Sequence, residues 1–193
     1  MDDAKLIILN GTSGSGKTFA MESMPEISRN IQPIKKHTTR GPRDHESIES
    51  SVDLVFNEPL ENIQKCKYQY LYEEHSYGIS ADDIDSALKA GKSPIVIVRD
   101  YDVIIDLIND YNDPIVIYVH SAYTGTELAR VLKKTKRKDI DAEERERREI
   151  EYFQDYIKYL RKDLFRYHVY NYYNGTFVCQ MKYFLSKHME VRE

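Results

Sequence analysis

The sequence predicts an α/β protein with three layers and a mostly parallel sheet, and three observations support this fold class. Continuous apolar runs occupy residues 5–10, 94–98 and 115–119, a pattern typical of strands that are buried on both faces. Segments with helical features separate these runs, as expected where parallel strands need crossover connections. A glycine-rich turn at residues 11–16 follows the first run directly.

The N-terminal half begins with the first apolar strand and its glycine-rich turn, after which a helix is predicted from Lys17. Residues 31–45 are predicted as extended chain and loop, because proline and glycine interrupt regular structure there. Residues 52–56 and 68–72 alternate between apolar and other side chains, which predicts half-exposed strands of a separate small sheet.

The C-terminal half continues the alternation of helices and apolar strands. Residues 80–90 are predicted as a helix, because acidic residues follow a candidate N-cap and Gly91 follows the end. A second helix is predicted at 103–108, between the second and third apolar runs. The remaining predicted elements are a charged helical segment at 126–166, a short strand at 169–173 and a closing helix at 181–187.

Composition limits the classes of partner. The 193 residues include 28 Lys and Arg against 32 Asp and Glu, a net charge of −4, which argues against a general nucleic-acid coat. We expect no signal peptide and no membrane helix, because no apolar run approaches about 20 residues. Cys66 and Cys179 have no metal-binding spacing, so we expect reduced thiols in a cytoplasmic protein.

Residues 11–18 fit the pattern G-x-x-x-x-G-K-[ST], directly after a predicted strand and before a predicted helix. The predicted nucleotide-binding residues of this motif are Gly11, Thr12, Ser13, Gly14, Ser15, Gly16, Lys17 and Thr18. Glycines let successive backbone N–H groups point at an anion, and the helix N-terminus adds partial positive charge. Lys17 is expected to reach the β- and γ-phosphates of a nucleoside triphosphate, and the Thr18 hydroxyl to hold Mg²⁺.

The motif predicts a nucleoside triphosphate ligand without specifying the reaction. The chain is too short for a large motor ATPase with accessory lobes, and it has no Asn-Lys-x-Asp motif for reading guanine in a GTPase. Small-molecule kinases are therefore the leading class. Arg40 and Arg43, on either side of a Gly-Pro turn, are candidates for a second phosphate site, because guanidinium groups bind phosphate through two parallel hydrogen bonds.

Together these motifs resemble those of the guanylate kinase family over about residues 5–185. The resemblance rests on the phosphate motif, on Thr-Thr-Arg-x-Pro-Arg-x-x-Glu, and on Tyr77-Gly78 followed by a helix and an apolar strand. It implies a P-loop kinase fold that uses ATP and Mg²⁺. It also implies that Arg40, Arg43 and Tyr77 bind the acceptor phosphate.

The resemblance also implies a division of the chain and a set of lid residues. The implied parts are a core at 1–32, 81–123 and 151–193, an acceptor-binding lobe at 33–80 that contains β-strands, and a helical lid at 124–150. Arg130, Arg137 and Arg148 are the lid arginines expected to join Lys17 in catalysis by neutralising charge in the transition state. Asn171 matches an asparagine that lies near the donor adenine.

Several positions that read the base in the resembling family differ here. Lys36 stands where the family has a serine shortly before Thr-Thr-Arg, and Ile79 stands where a small hydroxyl residue follows Tyr-Gly. The acidic base-reading residue after the apolar strand corresponds to either Arg99 or Asp100. Asp100 is also a candidate for orienting Mg²⁺ through water.

Two further correspondences leave alternatives open. The acidic residue that pairs with the guanine N1 and N2 edge corresponds to Glu73 or Glu74, and a second phosphate-binding tyrosine is replaced by Leu54 or Val52. The phosphate-binding parts of the family pattern are therefore present, whereas the base-reading parts are changed. Because lost hydrogen-bonding groups relax or alter specificity, the identity of the acceptor stays open.

Three hypotheses follow for the function. The first is an ATP-dependent kinase that phosphorylates a monophosphate, GMP or dGMP by default; the oligomeric state stays open, with a homodimer as one candidate. The second is a kinase of a phosphorylated sugar such as ribose 1,5-bisphosphate, in which Lys36 and Arg99 meet a second anionic group. The third is a non-catalytic protein-binding module, which the intact phosphate motif disfavours.

Overall fold

A computed structural model describes residues 4–43, 46–123, 127, 142–160 and 164–188. Its strands are β1 (Ile7–Asn10), β2 (Ile31–Pro33), β3 (Lys36–Thr38), β4 (Leu54–Val55), β5 (Tyr68–Tyr72), β6 (His75–Ile79), β7 (Ser93–Ile97), β8 (Ile115–Ser121) and β9 (Tyr167–Asn171). Its helices are α1 (Lys17–Ile27), α2 (Leu60–Gln64), α3 (Ala81–Lys89), α4 (Tyr101–Asp110), α5 (Ala142–Leu160) and α6 (Thr176–His188).

The larger sheet has the strand order β2-β7-β1-β8-β9, and every neighbouring pair is parallel. The central strand β1 places Ile7 opposite both Ile95 of β7 and Ile115 of β8. Alternate residues of β1 enter two different hydrophobic clusters, Ile8 on the face covered by α3, α4 and α5, and Ile7 on the face covered by α1 and α6. This arrangement confirms the predicted three-layer α/β class.

The smaller sheet has the order β4-β3-β6-β5 and corresponds to the predicted separate sheet. Its hairpin β5–β6 pairs Tyr70 with Tyr77, and β3 pairs antiparallel with β6. Strand β6 and the short helix α2 were not predicted from the sequence. They pack together at Gly78, where a Cβ atom would lie 2.8 Å from the Cys66 sulfur, so this contact requires glycine.

Other element boundaries differ modestly from the predictions. The last strand is 167–171 rather than 169–173, and the closing helix begins at Thr176 rather than 181. Most of the predicted lid, including Arg130 and Arg137, lies outside the described residues. Within the described ranges, no helix combines the length and apolarity needed to cross a membrane.

Two histidines at the ends of β8 and β9 link fold stability to pH. His120 Nε2 and His168 Nδ1 are 3.0 Å apart, and the His120 ring stacks on Tyr170 and contacts Tyr118 and Tyr156. Burial, together with the neighbouring His168, lowers the pKa of His120 to about 4. Burial also lowers the pKa of His168.

We expect folding stability to fall as the pH decreases from about 6.5 towards 4. The unfolded state binds a proton on His120 in this range and the folded state does not, so the stabilisation is complete only above the unfolded pKa. Replacing His120 by Phe keeps an aromatic ring against Tyr170 and removes one titrating group. Urea unfolding at pH 7 and pH 4.5 should show a smaller difference for His120→Phe than for the wild type; equal differences would contradict this assignment.

Candidate active site

The loop at residues 11–16 leaves the carboxyl end of the central strand β1 and ends at the start of α1. A Cβ atom on Gly11 would lie 2.3 Å from the Val119 carbonyl oxygen, and a Cβ atom on Gly16 would lie 2.3 Å from Asn171 Nδ2. Both glycines also have positive φ angles. Only glycine fits these two positions, so the backbone can curl tightly between β8 and β9.

The Lys17 ammonium group lies over this loop. Its Nζ donates hydrogen bonds to the carbonyl oxygens of Gly11 and Thr12, at 2.8 and 2.7 Å. The side chain therefore spans the concave side of the loop, where a phosphate chain would contact backbone N–H groups and the ammonium together.

Asn171 and Tyr173 support the loop from β9 and the turn after it. The buried Asn171 amide donates to the Ser15 carbonyl oxygen at 3.0 Å, and its oxygen accepts a hydrogen bond from the Tyr173 backbone N–H. The Tyr173 hydroxyl donates to the Gly14 carbonyl oxygen. Asn171 also lines the cavity beside the loop, but its amide nitrogen is hydrogen-bonded to the loop backbone and its oxygen to the Tyr173 backbone. Tyr173 was not predicted as a site residue, because no sequence motif distinguishes it from the other tyrosines, which number 16 in all.

Arg40 is fixed by a carboxylate and an aromatic ring. Its two terminal nitrogens donate to the Glu46 carboxylate at 2.7 and 3.1 Å, and its guanidinium carbon lies 5.1 Å from the centre of the Phe56 ring. Arg40 is only 8% exposed, and its Nε is buried with no hydrogen-bond partner among the described residues. Burial acts to raise the pKa of Glu46, but bonds from Arg40 and Arg43 outweigh it and leave that pKa below its usual value.

Arg43 and Glu73 lie at the outer edge of the lobe. The Arg43 backbone N–H donates to Glu46, and its guanidinium lies 4.0 Å from the Glu73 carboxylate. Glu73 and Glu74 occupy the turn between β5 and β6 with positive φ angles. Arg43 lines the cavity and Glu73 does not, so the predicted base-reading role of Glu73 has no geometric support.

Two tyrosines and one lysine of the smaller sheet line one side of the cavity. The rings of Tyr77 and Tyr70 stack with their centres 5.1 Å apart, and Lys36 Nζ lies 5.9 Å from the centre of Tyr77. Among the described residues, Lys36 Nζ has no hydrogen bond or ion pair, although the residue is only 5% exposed. It lines the cavity. A buried ammonium without a partner is costly, so this position favours an anionic or acceptor group of a ligand.

The charge state of Lys36 reflects this environment. Burial lowers the pKa of Lys36 to about 8; the Asp53 carboxylate opposes this shift, and the Arg40 and Arg99 guanidinium groups add to it. The ammonium therefore predominates at pH 7 and is partly lost in mildly alkaline solution.

Arg99 and Asp100, the two candidates for the base-reading position after β7, have different surroundings. The Arg99 guanidinium carbon lies 3.8 Å from the centre of the Tyr72 ring and 4.8 Å from that of Tyr152, and Arg99 lines the cavity. The Asp100 carboxylate instead accepts a hydrogen bond from the Val103 N–H and caps α4. Asp100 does not line the cavity, so its predicted roles at the acceptor and at Mg²⁺ lack geometric support.

One cavity of about 650 Å³ joins the phosphate loop to the lobe. Of the predicted site residues, those that line it are Ser13, Gly14, Gly16, Lys17, Thr18, Lys36, Arg40, Arg43, Tyr77, Arg99 and Asn171. The predicted residues Arg130 and Arg137 lie outside the described residues, as does the side chain of Arg148 in α5. The two predicted phosphate sites thus share one space.

Two carboxylates in this cavity, those of Asp53 and Glu22, were not predicted as site residues from the sequence. Asp53 Oδ2 accepts a hydrogen bond from the Thr18 hydroxyl at 3.3 Å, and Glu22 lines the same cavity from α1. Burial and then the Asp53 charge raise the pKa of Glu22. The Thr18 hydroxyl is a hard oxygen group, which suits Mg²⁺ bound together with nucleotide phosphates, and the Asp53 carboxylate is hydrogen-bonded to it. The part of the chain that the structure describes contains no group of three or more residues with metal-ligand geometry.

Comparisons with known proteins point to one family. No family model matches the chain. A guanylate kinase of Polaromonas sp. is 24% identical over 118 residues, covering 59% of this chain and 56% of that protein. A guanylate kinase of Wolinella succinogenes is 32% identical over 101 residues, covering 51% and 46%. The chain thus spans about half the length of the curated relatives it matches.

The fold comparison covers more of the chain. The crystal structure of guanylate kinase from Anaplasma phagocytophilum superposes with a TM-score of 0.64 at 14% identity, over 99% of this chain and 88% of that one. This likeness supports the same fold.

Replacing Lys36 by Met should stabilise the folded protein at pH 7. Methionine keeps the apolar stem against Tyr77 and removes a buried charge whose lowered pKa corresponds to a cost on the order of 3 kcal/mol. The advantage should shrink between pH 8 and 10.5, because the unfolded wild type then binds more protons than the folded one. Denaturant unfolding across this pH range, with exposed Lys65→Met as the control, tests both statements. A less stable Lys36→Met protein at pH 7 would contradict them.

Proposed function

The sequence and structural matches support assigning this chain to the guanylate kinase family, and from that premise we propose that it is a nucleoside monophosphate kinase. The proposed reaction transfers the γ-phosphoryl group of ATP to a monophosphate acceptor, with GMP or dGMP as the first candidates. The observation that carries this proposal is the single cavity that contains both the phosphate loop with Lys17 and the preformed pair Arg40–Glu46.

The geometry suits transfer by positioning and charge neutralisation. The loop backbone and Lys17 would hold the donor phosphates, with Mg²⁺ held at Thr18 supplying further charge neutralisation. The Arg40 guanidinium is oriented by Glu46 before any acceptor arrives, so little conformational entropy is lost when it binds a phosphate. Tyr77 would add a hydroxyl donor on the same wall.

The remaining parts of the proposal come from the sequence. The lid arginines Arg130, Arg137 and Arg148 would close over the triphosphate and exclude water, which limits hydrolysis of ATP. A cytoplasmic location and a homodimer remain predictions.

A second candidate acceptor is a phosphorylated sugar with two anionic groups, and the two inner cations favour it. Lys36 is buried without a partner among the described residues, and Arg99 lines the same cavity with no carboxylate partner within the described part of the chain. Both cations lie where the resembling family places residues that read a base. A second phosphate there would give both cations an ion-pair partner, which neither has among the described residues.

The first test is turnover with Mg-ATP and a panel of nucleoside monophosphates, measured as release of ADP. We expect turnover of at least one acceptor, none for Lys17→Ala, and a decrease of roughly 100-fold in kcat/KM for Arg40→Lys, because lysine cannot form two parallel hydrogen bonds to phosphate. Exposed Arg29→Lys is the matched control and should retain wild-type kcat/KM. Full activity of Arg40→Lys would remove Arg40 from the acceptor site.

The second test compares GMP with ribose 1,5-bisphosphate. If the acceptor carries two anionic groups, its KM should rise as the pH increases past about 8, because Lys36 loses its charge. Lys36→Arg should abolish this rise, and the KM for ATP should not change with either pH or variant. Turnover confined to GMP, with a KM independent of Lys36, would exclude the sugar phosphate.

A further inference from the structure

Asp53 connects the donor and acceptor halves of the cavity. Its backbone carbonyl oxygen accepts a hydrogen bond from the Lys36 N–H at 3.0 Å, which ties it to strand β3 of the lobe. Its carboxylate accepts a hydrogen bond from the Thr18 hydroxyl at 3.3 Å, which ties it to the first turn of α1. Asp53 is therefore attached to the acceptor lobe by its backbone and to the helix that follows the phosphate loop by its side chain.

The Asp53 carboxylate lines the cavity, where it can interact with a bound ligand or cation. Within the described ranges, no lysine or arginine forms an ion pair with its carboxylate. The Asp53 charge stabilises the ammonium form of Lys36 electrostatically. Glu22 is a second carboxylate that lines the cavity near Asp53. A negative carboxylate next to the expected triphosphate site repels the nucleotide unless a cation lies between them.

The direction of the hydrogen bond matters for the chemistry of Thr18. A hydroxyl group has one proton and two lone pairs, so a hydroxyl that donates to Asp53 presents lone pairs elsewhere. Groups that orient a metal ligand in this way strengthen metal binding without contacting the metal.

We propose that Asp53 is a positioning residue for the divalent cation of the bound nucleotide: by accepting a hydrogen bond from the Thr18 hydroxyl, it turns the lone pairs of the Thr18 oxygen towards the cation. The proposal rests on the proposed function only as far as binding of a metal–nucleotide complex, because no acceptor is needed. Since Asp53 belongs to the lobe, cation binding and the position of the lobe become linked.

The test is ADP binding by calorimetry, with Mg²⁺ and with EDTA, to the full chain. Wild type should bind ADP more tightly with Mg²⁺. In Asp53→Ala, the ratio of ADP affinity with Mg²⁺ to ADP affinity in EDTA should fall by roughly 10-fold to 100-fold. The affinity of this variant for ADP in EDTA should stay equal or improve, because a carboxylate that repels the phosphates is gone. Asp53→Asn, which keeps an oxygen acceptor, should retain part of the gain. Equal weakening with and without Mg²⁺ would show a purely structural role and overturn the proposal.

Three controls sharpen the result. Exposed Asp106→Asn, on α4, should behave as wild type. Glu22→Gln should leave most of the Mg²⁺ gain in place; if it alone removes the gain, Glu22 rather than Asp53 serves the cation. The double variant Thr18→Ala/Asp53→Ala should lose no more of the Mg²⁺-dependent gain in ADP affinity than Thr18→Ala alone. Both substitutions remove the same hydrogen-bonded Thr18–Asp53 pair, so their effects should not add. Additive losses would contradict the proposal.

A direct measurement guards against misfolding of the variants. Mn²⁺ bound to the ADP complex, observed by electron paramagnetic resonance, should dissociate more readily from Asp53→Asn, and thermal unfolding should confirm that the variant is folded. Unchanged Mn²⁺ affinity would overturn the proposal. Intact Mg²⁺-dependent ADP binding without turnover of any acceptor would instead refute only the proposed function.

Discussion

The candidate site depends on one steric constraint: the phosphate loop must pass directly against the carboxyl ends of β8, which pairs with β1, and of β9, the next strand in the sheet. Gly11 lies against the Val119 carbonyl of β8, and Gly16 lies against the Asn171 amide of β9. The same Asn171 amide then satisfies the Ser15 carbonyl oxygen. Sheet order, loop shape and the direction of the loop N–H groups are therefore parts of one packing arrangement, because a side chain at either glycine would displace the loop.

The lobe beside this loop contains cations in two different states. Arg40 is paired with Glu46, so its charge is compensated and its orientation is fixed before a ligand binds. Lys36 is also buried but lacks such a partner among the described residues, and burial lowers its pKa to about 8. The paired cation suits a ligand group common to every monophosphate, whereas the unpaired cation suits the part of the acceptor that differs between substrates. If the proposed kinase function is correct, acceptor specificity should therefore depend on Lys36 more than on Arg40.

Tyrosines, which number 16 in a chain without tryptophan, account for much of the packing of α5. Tyr152, Tyr156 and Tyr159 recur at helical spacing and are buried on one face of this helix. Tyr159 stacks on Tyr101 with ring centres 4.4 Å apart, and Tyr156 contacts Tyr118 at 4.2 Å. Aromatic rings with a polar hydroxyl can pack in a core and still donate at its edge, so the helix that follows the predicted lid is joined to the sheet close to the cavity.

The sequence by itself determined the sheet and the phosphate loop, because apolar runs and the spacing of residues 11–18 express burial and backbone shape within short segments. Only the tertiary structure decided the remaining roles. It placed Lys36 in the cavity without a hydrogen-bond or ion-pair partner in the described part of the chain. It turned Asn171 towards the loop and brought Asp53 to Thr18 across 35 positions. It also committed Asp100 to a helix cap. Such contacts join segments that are far apart in the chain. A local sequence pattern shows which residues are polar, but it does not show which atoms those residues contact in the folded protein.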